Sequence, residues 1–144
     1  MKKFEIMNQL VADLLALNVK FHNLHWNVKG HRFVPLHIAL EEMYDLFFEQ
    51  YDEVAERIRM LGEFAPASLK EVVALTKVAD LPNQDYTQKD VLDVVKESFE
   101  HLKALVRELR TAAEADSDFV TQALCDDLEG VYDKQLWFTR QQMK

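Results

Sequence analysis

Four apolar stripes at helical spacing leave this chain little choice of fold. The first is Leu10, Leu14, Leu17, Phe21, Leu24 and Val28, and Gly30 supplies a C-terminal stop. The second begins near Pro35, a residue tolerated in a first helical turn. It carries Leu36, Leu40, Met43, Phe47, Tyr51, Val54, Ile58 and Leu61, and ends at Gly62. Thr87-Gln88-Lys89-Asp90 reads as a capping box that opens the third, with Val91, Val94, Leu102, Leu105 and Leu109. After a break at Asp116-Ser117-Asp118, the fourth carries Val120, Leu124, Leu128, Val131 and Phe138. Only three Gly and three Pro interrupt 144 residues, so the helices are long and the chain is all-α.

The connections predict how these helices are joined. The first and third links are short, while about 25 residues separate the second and third helices. Within that link Ser68-Leu69-Lys70-Glu71 reads as a second capping box, opening a short helix to about Thr76. Short, long, short describes a four-helix bundle with one long crossover carrying a short helix, the ferritin-like arrangement. Residues 1–144 make a single domain with one core. Gly130, inside the fourth helix, costs about 1 kcal/mol relative to Ala and is expected to mark a close contact.

Composition narrows the function classes. The net charge is −8, and no basic run exceeds Lys2-Lys3, which disfavours non-specific nucleic-acid binding and favours attraction of cations. Solubility alone also explains an acidic surface. Met1-Lys2-Lys3 resembles the start of a signal peptide, but Glu5, Asn8, Gln9 and Asp13 break any apolar run behind it. Neither a leader nor a membrane span is expected. A lone Cys125 forms no internal disulfide, so the expected compartment is reducing and cytoplasmic.

Histidines and carboxylates form the one constellation that points to chemistry. On a helix over residues 36–61, His37, Glu41, Asp52 and Glu56 share one face within about 100° of arc. Asp52 nevertheless lies about 22 Å along the axis from His37, so one ion cannot touch both. Two such helices packed antiparallel about a two-fold axis would join the His37 end of one to the acidic end of the other. Imidazole with carboxylate suits iron, manganese or zinc. His25 and His37 bracket the first helix-loop-helix turn and would approach each other in an antiparallel pair. His22 and His101 lack acidic partners at useful spacing, and His31 reads as a loop residue. A di-iron site within one chain would need Glu-x-x-His motifs, which the third and fourth helices lack. Trp26 is either an apolar anchor or an aromatic beside a redox metal, able to donate an electron to a stray oxidant. On spacing alone, ligation and ordinary helix-face placement both stand.

The chain resembles the Dps family, the DNA-binding proteins from starved cells or mini-ferritins. The resemblance rests on His25-Trp26, Gly30, Phe33, Leu36-His37, Tyr44, Asp52-Glu53-Val54-Ala55-Glu56-Arg57-Ile58 and Asp133-Lys134-Gln135-Leu136-Trp137. It implies a homo-oligomer, a hollow dodecamer with ferroxidase sites at two-fold interfaces and two irons at each. His25 and His37 would come from one subunit, and Asp52 and Glu56 from its partner. Glu41 stands where the family usually has Asp, and is included as a ligand. Zinc or manganese would be substitutes for iron. The implied function is oxidation of Fe(II) by hydrogen peroxide or O2, with storage of ferric mineral that protects DNA and cell. The alternative is a DNA-condensing protein that protects by direct binding. Many members use a Lys-rich terminal extension for that, and this chain has none, so weak or absent DNA binding is expected. Asp116, Asp118, Asp126 and Asp127, near the start of the fourth helix, would border three-fold pores and draw iron in. Favourable interaction with the helix dipole explains them equally well. Gly62-Glu63-Phe64-Ala65-Pro66 lacks the second glycine more usual there.

Overall fold

Each long helix buries a stripe of its own side chains against its neighbours in the bundle. The computed structural model describes residues 2–144. It has α1 (Lys2–Asn27), α2 (Phe33–Met60), α3 (Leu69–Leu75), α4 (Gln88–Ala115) and α5 (Phe119–Gln142). Contacts between residues 18 and 44, and between 25 and 37, show that α1 and α2 run antiparallel. Those joining Arg110 to Asp126 and Lys103 to Asp133 show the same for α4 and α5. The crossover returns along the bundle, so α4 runs parallel to α2, and α3 rests on α1. The fold is all-α, a ferritin-like four-helix bundle with one long crossover.

The caps form where the sequence places them. Ser68 accepts from the Glu71 N–H to start α3, and Thr87 and Asp90 cap each other's backbone N–H groups to start α4. Gly30 takes φ +113° in the α1–α2 turn, a conformation that L side chains rarely adopt. That turn is pinned to the end of the crossover, where Tyr86 N–H donates to Asn27 O (3.0 Å) and Lys29 N–H to Tyr86 O (2.9 Å). α2 begins at Phe33, earlier than the Pro35 start expected, because the Phe33 N–H already bonds back to Gly30 O. Pro35 still falls in the first turn, where its missing N–H has no partner to lose.

The core is centred on four rings, one from each long helix. Phe21 meets Phe47 edge-on at 4.8 Å, Phe47 lies 5.3 Å from Phe99, and Phe99 lies 5.8 Å from Tyr132. Such pairs add about 0.5–1.5 kcal/mol beyond their burial. The Tyr132 hydroxyl, fully buried, donates to Gln50 Oε1 at 2.8 Å. Phe99 and Tyr132 fall outside the stripes read from sequence. In α4 the buried face is wider than expected and includes Leu92, Val95, Phe99 and Val106, whereas Val94 is half-buried. In α5 it is Thr121, Cys125, Leu128, Tyr132, Leu136 and Thr139, rotated by about one residue from the expected stripe. Val120 (62%) and Phe138 (42%) are exposed. The polar atoms of Thr and Tyr disguise a buried face when apolarity alone is counted. Gly130 is exposed, and a Cβ there would meet nothing of this chain within 4 Å, so the close contact expected of it is absent within the chain.

One buried acid ties the crossover to the bundle. Asp13 on α1 has no exposed surface and accepts from Gln9 (3.1 Å), Thr76 (2.7 Å), Lys77 N–H (2.8 Å) and His101 (2.7 Å). Burial pushes its pKa up, but these hydrogen bonds outweigh burial and hold the carboxyl below its ordinary value. The Asp13 hydrogen bond in turn raises His101. His101 therefore has the acidic partner that the sequence spacing denied it, 88 residues away. Asp13→Asn should cost about 1–3 kcal/mol of unfolding free energy, because the amide cannot accept all four bonds. The His101 contribution is complete below about pH 6.5 and is lost as pH rises through the elevated folded pKa. The Asp13 contribution is present above about pH 3.9 and is lost as pH falls through the depressed one. Urea unfolding should thus show the gap between wild type and variant narrowing on the alkaline side. A gap constant from pH 6 to 9 would rule out the charged pair.

Candidate metal centre

The antiparallel α1–α2 pair brings His25 and His37 face to face, 12 residues apart in sequence. Their rings stack with centroids 3.6 Å apart and planes within 11°. Each is hydrogen-bonded to the other's backbone, His25 Nδ1 to His37 O at 2.6 Å and His37 Nδ1 to His25 O at 2.8 Å. A carbonyl oxygen only accepts, so both Nδ1 atoms must carry the proton. In the neutral rings both Nε2 lone pairs are then available, the tautomer that a metal ligand needs. Phe33 stacks on His37 at 5.0 Å, and Tyr44 meets His25 edge-on at 5.2 Å. Both rings are thus held by packing and by hydrogen bonds.

Glu41 joins this end, with Oε1 3.9 Å from His25 Nε2. Asp52 and Glu56 do not. They are exposed on α2, about 22 Å and 28 Å along the axis from His37 at 1.5 Å per residue, without an ion pair or hydrogen bond among the described residues. Among the described residues no three of His, Cys, Asp or Glu are placed to hold one ion. The face carrying Glu41, Asp52 and Glu56 also carries Val34 (60% exposed), Ile38 (52%) and Phe48 (56%). With His37, these positions span about 100° of arc. An uncovered apolar stripe with nitrogen donors at one end and carboxylates at the other is a surface suited to a partner.

Around the pair lies an aromatic group that stripe counting did not single out. His22 stacks on Tyr44 at 3.6 Å, and its Nδ1 is 2.7 Å from Asn18 O. Trp26 is 67% exposed and packs 5.5 Å from His22, with no ring contact to His25 or His37 among the described residues. His31 is exposed in the turn.

The four acids near the start of α5 serve different roles. Asp118 is the N-cap, accepting from Thr121 N–H, from Arg57 Nη2 at 2.8 Å and from Lys3 Nζ at 3.2 Å. Burial raises its pKa, and the bonds from Thr121, Arg57 and Lys3 more than reverse this, holding the carboxyl well below the usual range. Asp116 lies 3.2 Å from Lys3, and Asp126 lies 2.6 Å from Arg110. Asp127 is exposed without a partner among the described residues. No helix among them is long and apolar enough to cross a membrane.

A family model for the ferritin-like domain matches residues 4–144. The chain is 39% identical to the DNA protection during starvation protein of Helicobacter pylori over 137 residues, 95% of each chain. It is 36% identical to antigen TpF1 of Treponema pallidum, over 92% of this chain and 75% of that one. It superimposes on the crystal structure of Helicobacter cinaedi CAIP with a TM-score of 0.96, at 34% identity and covering 99% and 100% of the two chains. On Dps from Listeria monocytogenes the TM-score is 0.95, at 28% identity and covering 99% and 94%.

Proposed function

The chain belongs to the ferritin-like family, among the Dps proteins, and from that premise we propose that it oxidises Fe(II) at sites shared between two copies and stores ferric mineral inside a shell of twelve. The observation that supports this reading is the His25–His37 clamp, with two Nε2 lone pairs free, whose His37 shares one face of α2 with two exposed acids that have no partner among the described residues. In the proposed pairing His25, His37 and Glu41 of one copy meet Asp52 and Glu56 of the other about a two-fold axis, and the apolar residues between them are covered. Imidazole and carboxylate donors stabilise Fe(III) beside Fe(II), and zinc or manganese would occupy the same donors.

Two Fe(II) ions held together supply two electrons to one hydrogen peroxide. With two protons the O–O bond is broken to give two waters, and no hydroxyl radical leaves the site. O2 is the alternative oxidant. Trp26, at the margin of the site, would serve as a reserve electron donor. Removal of iron and peroxide together would protect DNA chemically, in a cytoplasmic setting.

Iron would be drawn in past the acids at the start of α5. Asp118 is committed to Arg57 and Lys3, Asp116 to Lys3 and Asp126 to Arg110, which leaves Asp127 as the free carboxylate. Asp126→Asn with Asp127→Asn should slow iron uptake at low salt by weakening the local field. Uptake at the wild-type rate would remove this inlet.

Protection by DNA contact is the competing reading, and the charge opposes it. A net charge of −8 per chain is multiplied in any oligomer, and phosphate neutralisation requires Lys and Arg. Gel-shift experiments at about 150 mM salt should show no stable retention of plasmid, since weak contacts are screened there. Tight, stoichiometric retention would favour the DNA-condensing reading.

The shared site is tested by complementation. A variant lacking both histidines (His25→Ala, His37→Ala) and one lacking both acids (Asp52→Ala, Glu56→Ala) should each assemble and oxidise iron poorly. Co-expressed in equal amounts with different tags, they should form mixed two-fold pairs about half the time. Each mixed pair has one intact and one doubly damaged site, so about a quarter of all sites should recover. Verified mixed assemblies with no recovered activity would overturn the shared site.

A further inference from the structure

A second polar site lies away from the histidine clamp, where residues 77–79 of the crossover pass between α1 and α4. The cavity has a volume of about 130 Å³, room for about four waters at roughly 30 Å³ each. Lys20 of α1, Lys77 of the crossover, and Glu97, Ser98 and His101 of α4 are its polar lining.

Three cationic groups, Lys20, Lys77 and His101, face Glu97 and Asp80, with Asp13 behind His101. His101 donates through Nε2 to the buried Asp13, and its Nδ1 has no partner among the described residues. Neither the Lys20 nor the Lys77 ammonium has an ion pair or hydrogen bond among the described residues. Lys20 is half-buried, and burial depresses its pKa although Glu97 and Asp80 pull it upward. A partly desolvated ammonium with no hydrogen-bonded counterion carries a free-energy cost that an anion in contact with it would relieve. Ser98 donates its hydroxyl proton to Val94 O at 2.7 Å, so it adds no donor. Glu97 is the one carboxylate in the lining, against three nitrogen donors.

We propose that this cavity binds a small tetrahedral oxyanion, a phosphate, held by the Lys20 and Lys77 ammonium groups and the Nδ1–H of His101. Its size and its position under the crossover admit a free anion or a small monoester and exclude a nucleic-acid duplex. Bound phosphate would join α1, α4 and residues 77–79, the same three elements that Asp13 links. The titratable groups facing it are Lys20 on α1, Lys77 and Asp80 on the crossover, and Glu97 and His101 on α4, with Asp13 behind His101. His101 loses its charge as pH rises through its elevated pKa, while phosphate gains its second negative charge over the neutral range, so the His101 share of the affinity falls as the ammonium share grows. The proposal is independent of the iron site.

Calorimetric titration of inorganic phosphate into the iron-free protein tests it, with chloride at matched ionic strength as the reference. Saturation near one phosphate per chain is expected. Lys20→Met should weaken binding roughly tenfold, the equivalent of one charge-assisted hydrogen bond. Glu97→Gln, nearly isosteric, should tighten it by removing the opposing charge. Glycerol phosphate in a parallel titration separates the sources: affinity equal to that of phosphate extends the site to monoesters, and weaker binding restricts it to the free anion. Heats that do not saturate, or that match chloride, would overturn the site, as would wild-type affinity in both variants.

Discussion

The relative heights of the four long helices depend on one column of rings. Phe21, Phe47, Phe99 and Tyr132 come one from each helix, and each touches the next at 4.8–5.8 Å. Interiors are close-packed, so a helix that slid by a turn would separate its ring from the others and open a void. Gln50 and Tyr132 add a direction to this packing, because their hydrogen bond forms at one register of α2 against α5. The Phe21–Phe47 contact sets α1 against α2, and that register carries the ends of both helices into place.

The histidine clamp follows from it. Four residues beyond Phe21 comes His25, and ten before Phe47 comes His37, on helices that run antiparallel. The turn between them is short, relieved at Gly30, and fastened to Tyr86 at the end of the crossover. Once the rings meet, each backbone carbonyl fixes the other's tautomer. The stacked geometry is thus built by backbone and aromatic packing within one chain. The acidic end of the same stripe has no such support and stands exposed.

The crossover is held by polar groups where the bundle is held by apolar ones. Asp13 collects four hydrogen bonds from α1, α4 and residues 76–77, and a buried acceptor without those donors would be costly. At the N-terminal end of α1, Lys3 and Arg57 meet at Asp118, joining three helix termini. Both acids are kept ionised by their partners despite burial. Acid side chains therefore fasten this fold at mid-bundle, through Asp13, and at one end, through Asp118, and the remaining acids give its surface a negative field.

Helix number, order, caps and the long crossover were legible in the sequence because each is a local property. A capping box spans four residues, and a stripe repeats within two turns, so neither needs the rest of the fold. His25, His37, Glu41, Asp52 and Glu56 could be grouped on the same grounds, since helical periodicity alone puts four of them on one face. The buried faces of α4 and α5 were legible only in part, because Thr121 and Tyr132 carry polar atoms and are buried by neighbours, while apolar Phe99 lies outside the stripe traced through Val94 and Leu102. Asp13 with His101, Asp118 with Arg57, and Tyr44 between His22 and His25 were not legible at all. These contacts join residues 19 to 88 positions apart, and a chain's periodicity contains no information on which distant side chains will meet. The sequence by itself determined which elements form and which donors they carry. Only the tertiary structure decided the ring stacking, the tautomers and the charge partners, because these depend on distances between elements that packing alone sets.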